Sequence, residues 1–242
     1  MGLPTDQSGY WDRAAATKTF AHPLDFDRFM RRVPLDAPIL DYGCGTGRLC
    51  VELSQRGFGC VQGVDSSAAM IQTARARCPG ATFSVVGSGA VPVPDASVQA
   101  VLLFAVLTCI PDPDSQRRLI ADLRRALRPG GLLLISDYPL QHDARNRERY
   151  DRHAGEFGIE GAFRLDDGAV VRHHPDSWFG QLLADFEFDG CVERDALTMH
   201  GNPVRIQQWW ATRPQPAREA TPGPSTSGGR PPTSRTGKGC WH

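Results

Sequence analysis

Apolar positions in this chain fall into short unbroken runs, and between them stand stretches with helical spacing. The first run opens at Ile39 and Leu40 and passes through Asp41 into glycines at 43, 45 and 47. Leu49, Val51 and Leu53, stopped at Gly57, predict a helix over about 46–56, followed by a strand over 58–65 and a helix over 67–77. Strands follow over 82–86 and 98–107, then a helix over 116–127 and a strand over 132–137 entered through Pro129, Gly130 and Gly131. Strands without a polar face are those buried on both sides of a parallel sheet. Strand–helix–strand units of this length join parallel neighbours in the right-handed sense. The pattern therefore predicts a doubly wound α/β body.

Residues 144–185 break the pattern, being richer in charge and histidine, with Asp166, Asp167 and Gly168 between short apolar runs. An acid-acid-glycine step of that kind predicts a hairpin. A helix over 176–187 and two strands, over 188–198 and 203–211, would close the sheet edge. Ahead of the body, residues 9–33 predict two helical pieces parted at His22-Pro23, because proline disfavours helical geometry in the residue before it. The first piece carries Tyr10, Trp11 and Phe20, an arm that either packs on the core or covers a pocket. The expected organisation is an arm over 1–37, an α/β domain over 38–213 with a small cap insertion over about 144–185, and a tail over 214–242. In the tail 18 of 29 residues are Pro, Gly, Ser or Thr, too few apolar groups to offset the entropy of ordering, so disorder is expected there.

Composition narrows the function. A chain of 242 residues with 40% hydrophobic content suits one sizeable domain plus a tail. The formal charge is zero, but Arg218, Arg230, Arg235 and Lys238 against Glu219 give the tail +3 and leave the body at −3. A mildly acidic body gives no electrostatic reason to expect nucleic acid as a partner. Seven scattered cysteines, with no CxxC pair and no Cys/His spacing of a zinc site, read as free thiols, and no metal is expected. No basic patch followed by an apolar run opens the chain, and no run of about 18 apolar residues occurs, so the expectation is a cytoplasmic protein with no membrane partner.

The chemistry centres on residues 39–47. Glycines without a Cβ let the backbone turn tightly and approach a ligand, and the helix that follows turns its free N–H groups toward it. Asp65 closes the second strand 22 residues after Gly43, an offset at which an acid accepts hydrogen bonds from a ribose, although it could instead cap the next helix. A dinucleotide turn would read GxGxxG, whereas Arg48 stands three residues beyond Gly45, which argues against a nicotinamide cofactor.

Three stretches in order, ILDYGCGTG from Ile39, GVDSSAAM from Gly63 and LRPGG from Leu127, resemble the class I S-adenosylmethionine-dependent methyltransferases over about residues 38–138. The resemblance implies a Rossmann-like seven-stranded sheet whose last strand is antiparallel, with S-adenosylmethionine across the strands' C-terminal ends. It implies that Asp41 and the backbone of Gly43, Cys44, Gly45 and Gly47 hold the methionine portion, and that Asp65 holds the ribose. Ser66 and Met70 would line the adenine, Ser88 would stand where the family often has an acid, and Phe104 would end the fourth strand at the pocket.

An acceptor would approach from beyond the fourth and fifth strands, beneath the cap. There His173 and His174 are candidates for a base, and only one of two strand neighbours can face a pocket. Arg145, Arg147 and Tyr150 could meet an anion, or the run they belong to could be a solvated helix face. The leading expectation is an enzyme that methylates an O, N, S or C atom of a small molecule, with specialised metabolism as its setting. A non-catalytic binder of the same cofactor and a nicotinamide-dependent oxidoreductase are the alternatives.

Overall fold

The apolar runs become β1 (Ile39–Tyr42), β2 (Val61–Asp65), β3 (Thr82–Val85), β4 (Val98–Phe104) and β5 (Leu127–Asp137). Two later strands, β8 (Glu187–Leu197) and β9 (Pro203–Thr212), join them in one sheet ordered β3-β2-β1-β4-β5-β9-β8. These positions come from a computed structural model, which describes residues 3–15 and 22–216. β1 to β5 pair in parallel, and β9 pairs antiparallel with both β5 and β8. The last strand of the chain is thus the antiparallel one, as expected.

The strands alternate between two cores, which is why they need no polar face. Ile39, Ala100, Leu102 and Leu134 turn toward Phe29 of α2 (Phe26–Met30), Leu49 and Leu53 of α3 (Arg48–Gln55) and Ile71 of α4 (Ala68–Arg77). Leu40, Val101, Leu103 and Leu133 turn the other way. They meet Leu119 and Leu123 of α5 (Pro113–Ala126) and Trp178 and Phe179 of α7 (Asp176–Leu182). Burying each such side chain is worth roughly 1.5–3 kcal/mol, so both helical layers are held by the same strands.

Between β5 and α7 lie α6 (Ala144–Phe157) and a hairpin of β6 (Ala162–Arg164) and β7 (Val170–Arg172) turning through Asp166, Asp167 and Gly168. At the other end of the chain, α1 (Ser8–Ala14) docks on the start of α4. Asp12 accepts a hydrogen bond from the Ser67 hydroxyl at 2.6 Å and one from the Ala69 N–H at 3.2 Å. An acid at a helix N-terminus is favoured by the free N–H groups and the helix dipole there.

Several boundaries differ from the pattern for local reasons. α3 starts at Arg48 rather than 46, because Gly47 stands at φ +76° and cannot be a helical turn. α5 starts earlier than 116, at Pro113, because Asp112 caps it by accepting the Ser115 N–H at 2.8 Å. β4 stops at Phe104 instead of 107, since Ala105 adopts φ +55°. β5 starts at Leu127, which pairs with Val98 ahead of an irregularity in the register. The expected disorder of the tail falls on residues 217–242, outside the described residues.

Candidate active site

The strand order reverses between β1 and β4: from β1 the sheet is built outward through β2 and β3, and from β4 outward the other way through β5. Crevices at the C-terminal ends of strands open at such a switch point. Here the crevice is a cavity of about 430 Å³, lined by the ends of β1, β2 and β4 and by the N-terminal arm. That volume lies within the range of small-molecule sites.

Its floor is the glycine turn, in which each glycine has its own reason. At Gly43, φ +70°, a Cβ would lie 2.4 Å from a Val106 methyl, so only glycine fits beneath the loop after β4. At Gly47, φ +76°, a Cβ would press within 3.0 Å of Ala74, so this position serves packing against α4, and it does not line the cavity. At Gly45, φ +53°, nothing lies within 4 Å of where a Cβ would be, and the bare backbone faces the cavity. The turn is tied to β2, since the N–H groups of Gly43 and Cys44 both donate to the Val64 carbonyl, at 2.8 and 3.0 Å.

Asp65 ends β2 and reaches the same turn, accepting from the Gly45 N–H and the Ser67 N–H, each at 2.9 Å. Burial pushes its carboxyl upward in pKa, against those hydrogen bonds, which favour the ionised form. Asp41 is more deeply buried, and burial pushes it up to about 7, partly opposed by the Cys50 thiol that donates to it at 3.3 Å and by Arg48. Cys44 lines the cavity as a thiol whose pKa burial raises, so it stays uncharged and weakly nucleophilic. Ser66, Met70, Ser88 and Phe104 also line the cavity. The Ser88 hydroxyl donates to the Thr5 carbonyl of the arm at 3.0 Å, which leaves its lone pairs free to accept.

The arm closes one side through a residue that the sequence pattern did not single out. The Gln7 amide donates to the carbonyls of Cys109, at 3.0 Å, and Val170, at 2.8 Å, and accepts the Val170 N–H at 2.8 Å. One side chain thus fastens the arm to the loop after β4 and to the β6–β7 hairpin. His22 was read only as a helix break, yet it lines the cavity with Nδ1 beside the Ser136 carbonyl at 3.2 Å. Burial pushes its pKa down to about 4, so the ring is neutral near pH 7. Its one sequence signal was a histidine before a proline near an aromatic arm, which does not distinguish a cavity wall from a turn.

A second, smaller cavity opens beside the first, and Trp11, Ala105 and Cys109 line both. Ala105, a non-glycine residue held at positive φ by its N–H bond to the Ser136 carbonyl at 2.7 Å, stands on the partition. Of the two candidate bases, His173 lines this second cavity, with Nδ1 2.7 Å from the Tyr150 hydroxyl and the ring stacked on Tyr138. Burial first, then Arg149 and Arg145, push its pKa down to about 3. His174 lies on the opposite face, wholly buried against Gln116 at 2.8 Å, and borders neither cavity. Only one of the adjacent pair faces a pocket, as alternation demands. Asp137 is buried and accepts the N–H groups of Tyr138, at 2.8 Å, and Thr108, at 3.2 Å, so it braces the strand ends rather than lining a cavity.

The residues around the larger cavity fit S-adenosylmethionine. Two carboxyl groups, Asp41 and Asp65, suit a cationic ligand bearing a ribose, and the open backbone at Gly45 admits close contact. A doubly wound sheet in which β9, next to the edge strand β8, alone runs against the others, with this cradle at its switch point, suits a nucleoside-cofactor-binding α/β protein.

Comparison with known proteins points the same way. Residues 39–131 match the model of a methyltransferase domain. A 27-O-demethylrifamycin SV methyltransferase of Amycolatopsis mediterranei is 31% identical over 54% of this chain and 50% of its own length. A trans-aconitate 2-methyltransferase of an Azoarcus species is 33% identical over 64% of this chain and 59% of its own length. The chain spans about half the length of the curated relatives it matches. A solved S-adenosylmethionine-dependent methyltransferase of Methanosarcina mazei superposes with a TM-score of 0.72 at 26% identity, covering 78% of this chain and 98% of that one. Residues 39–131 thus match a methyltransferase domain, and these relatives together with the Methanosarcina mazei structure support a class I S-adenosylmethionine-dependent methyltransferase.

Proposed function

We propose that this protein transfers a methyl group from S-adenosylmethionine to an O, N, S or C atom of a small molecule, in the cytoplasm and in specialised metabolism. The observation that carries the reading is the open backbone of Gly45 beside the Asp65 carboxylate, in a cavity that meets a second one at Ala105. The varied small molecules in the relatives' names support a small acceptor without selecting one. No helix among the described residues is long and apolar enough to cross a membrane.

When bound, the cofactor supplies a methyl group already activated on a sulfonium. The chain's residues then have to hold, align and keep dry. Asp41 and the turn from Gly43 to Gly47 would hold the amino-acid end, Gly47 acting through the turn's shape and Cys44 and Gly45 by contact. Asp65 would accept from the ribose, Ser66, Met70 and Ser88 would flank the base, and Phe104 would close the wall near the transfer point. The Gln7 fastening makes the arm a lid that excludes water. Alignment of this kind can supply roughly 7–11 kcal/mol of a barrier. Of the two histidines only His173 faces a cavity where an acceptor could meet it, and burial that pushes its pKa down to about 3 makes it a weak base.

The test is incubation of the protein with methyl-labelled S-adenosylmethionine and a metabolite extract, read by mass spectrometry. A labelled product formed only with the intact protein supports the reading. Tight cofactor binding with no labelled product from any extract would leave a non-catalytic binder instead.

A further inference from the structure

Helix α6 turns Arg145 and Arg149, one helical turn apart, into the wall of the second cavity. Like charges at that spacing oppose each other. Neither arginine forms an ion pair with an acid among the described residues, whereas Arg152 on the same helix pairs with Glu148 at 2.6 Å. Arg147, which the sequence put beside Arg145, lies on the exposed outer face. Arg149 is instead half-buried, its guanidinium 5.3 Å from the centre of the Phe163 ring.

Asp166 and Asp143 lie near enough to Arg149 to favour its charged form, but neither forms an ion pair with it. Asp143 caps α6, accepting from the Asn146 N–H at 3.1 Å and the Asn146 amide at 2.6 Å. Asp167 lies 3.3 Å from His200. Two cations thus face a confined space of about 60 Å³ with apolar walls at Phe163, Leu165 and Val171. That holds a few water molecules at roughly 10–15 Å³ each, room for a compact charged group.

We propose that the second cavity seats an anionic group of the methyl acceptor, a carboxylate by size, between Arg145 and Arg149. The skeleton attached to it reaches past Ala105 into the larger cavity, a placement that rests on reading that cavity as the methyl donor's site. A guanidinium pair gives charge-assisted hydrogen bonds that a neutral group of the same shape cannot replace. The acceptor is therefore a small organic acid or a molecule ending in one.

Propionate and its neutral counterpart propionamide test this by nuclear magnetic resonance of the arginine side-chain N–H groups in the full protein saturated with S-adenosylhomocysteine. The expected result is a saturable shift of the Arg145 and Arg149 signals with propionate alone. Arg145→Gln and Arg149→Gln should each weaken it about tenfold or more, and Arg147→Gln should leave it unchanged. Equal shifts with propionamide, no shift with propionate, or an equal effect of Arg147→Gln overturns the proposal. Calorimetric binding of S-adenosylhomocysteine, measured on the same sample, reports separately on the larger cavity. If it fails while propionate binds, the donor reading falls and the anion site stands.

Discussion

Replacing Asp65 with alanine removes the one carboxylate that joins the end of β2 to the glycine turn. In the free protein it accepts two backbone N–H bonds of 2.9 Å, from Gly45 and Ser67. With the cofactor bound, its remaining lone pairs would take the two ribose hydroxyls. A hydrogen bond to a charged partner is worth roughly 1.5–3 kcal/mol, so losing two costs about 3–6 kcal/mol of binding. Dissociation constants should rise by about 10² to 10⁴. Asp65→Asn keeps an accepting oxygen but turns an amide N–H toward an N–H donor, so an intermediate loss of about tenfold to a hundredfold is expected. The assay is calorimetric titration with S-adenosylhomocysteine, beside urea unfolding to show that each variant is folded. A folded Asp65→Ala protein that binds within about threefold of the parent would mean instead that the acid only braces the turn and does not hold the ribose.

Other substitutions separate strain from binding and fix the charge state of the cavity. Gly43→Ala combines a left-handed φ with a Cβ 2.4 Å from Val106, so urea unfolding should show a loss of roughly 2–5 kcal/mol. Gly45→Ala carries the φ cost of roughly 1–2 kcal/mol with no clash, and its larger effect should appear in cofactor titration, since the new methyl enters the cavity. Asp41, whose folded pKa of about 7 lies above its ordinary value, stays protonated in the fold while the unfolded chain ionises. Its contribution to stability is therefore present at low pH and lost as pH rises from about 4 to 7. Asp41→Asn should gain on the parent across that window by up to about 1.4 kcal/mol per pH unit, measured by urea melts at several pH values. The comparison with the parent matters, because His22 and His173, with depressed folded pKa values, push stability the opposite way below about pH 6.5.

The legible parts of this protein were those that the backbone itself enforces. Positive φ at Gly43, Gly45 and Gly47 needs glycine, so the turn was visible, and the family's motifs on either side gave the strand order. Asp65 was visible because its distance from the turn is set by one helix and one strand. What the sequence hid depends on contacts between distant residues. Gln7 fastens positions 102 and 163 residues away, and nothing local marks it. Gln116 is wholly buried on the core face of α5, where it accepts the Trp178 indole N–H at 2.6 Å and meets His174. Helix α6 reads as solvated because most of its face is, and only the packing of the β6–β7 hairpin shows that Arg145 and Arg149 point inward.

The site assignment turns on whether the cavity at the β1–β4 switch point holds S-adenosylmethionine. Calorimetric titration of the purified chain with S-adenosylmethionine and, separately, with NADH tests it most directly. Saturable one-to-one binding of S-adenosylmethionine and none of NADH is expected. Binding of NADH alone, or of neither, would contradict it.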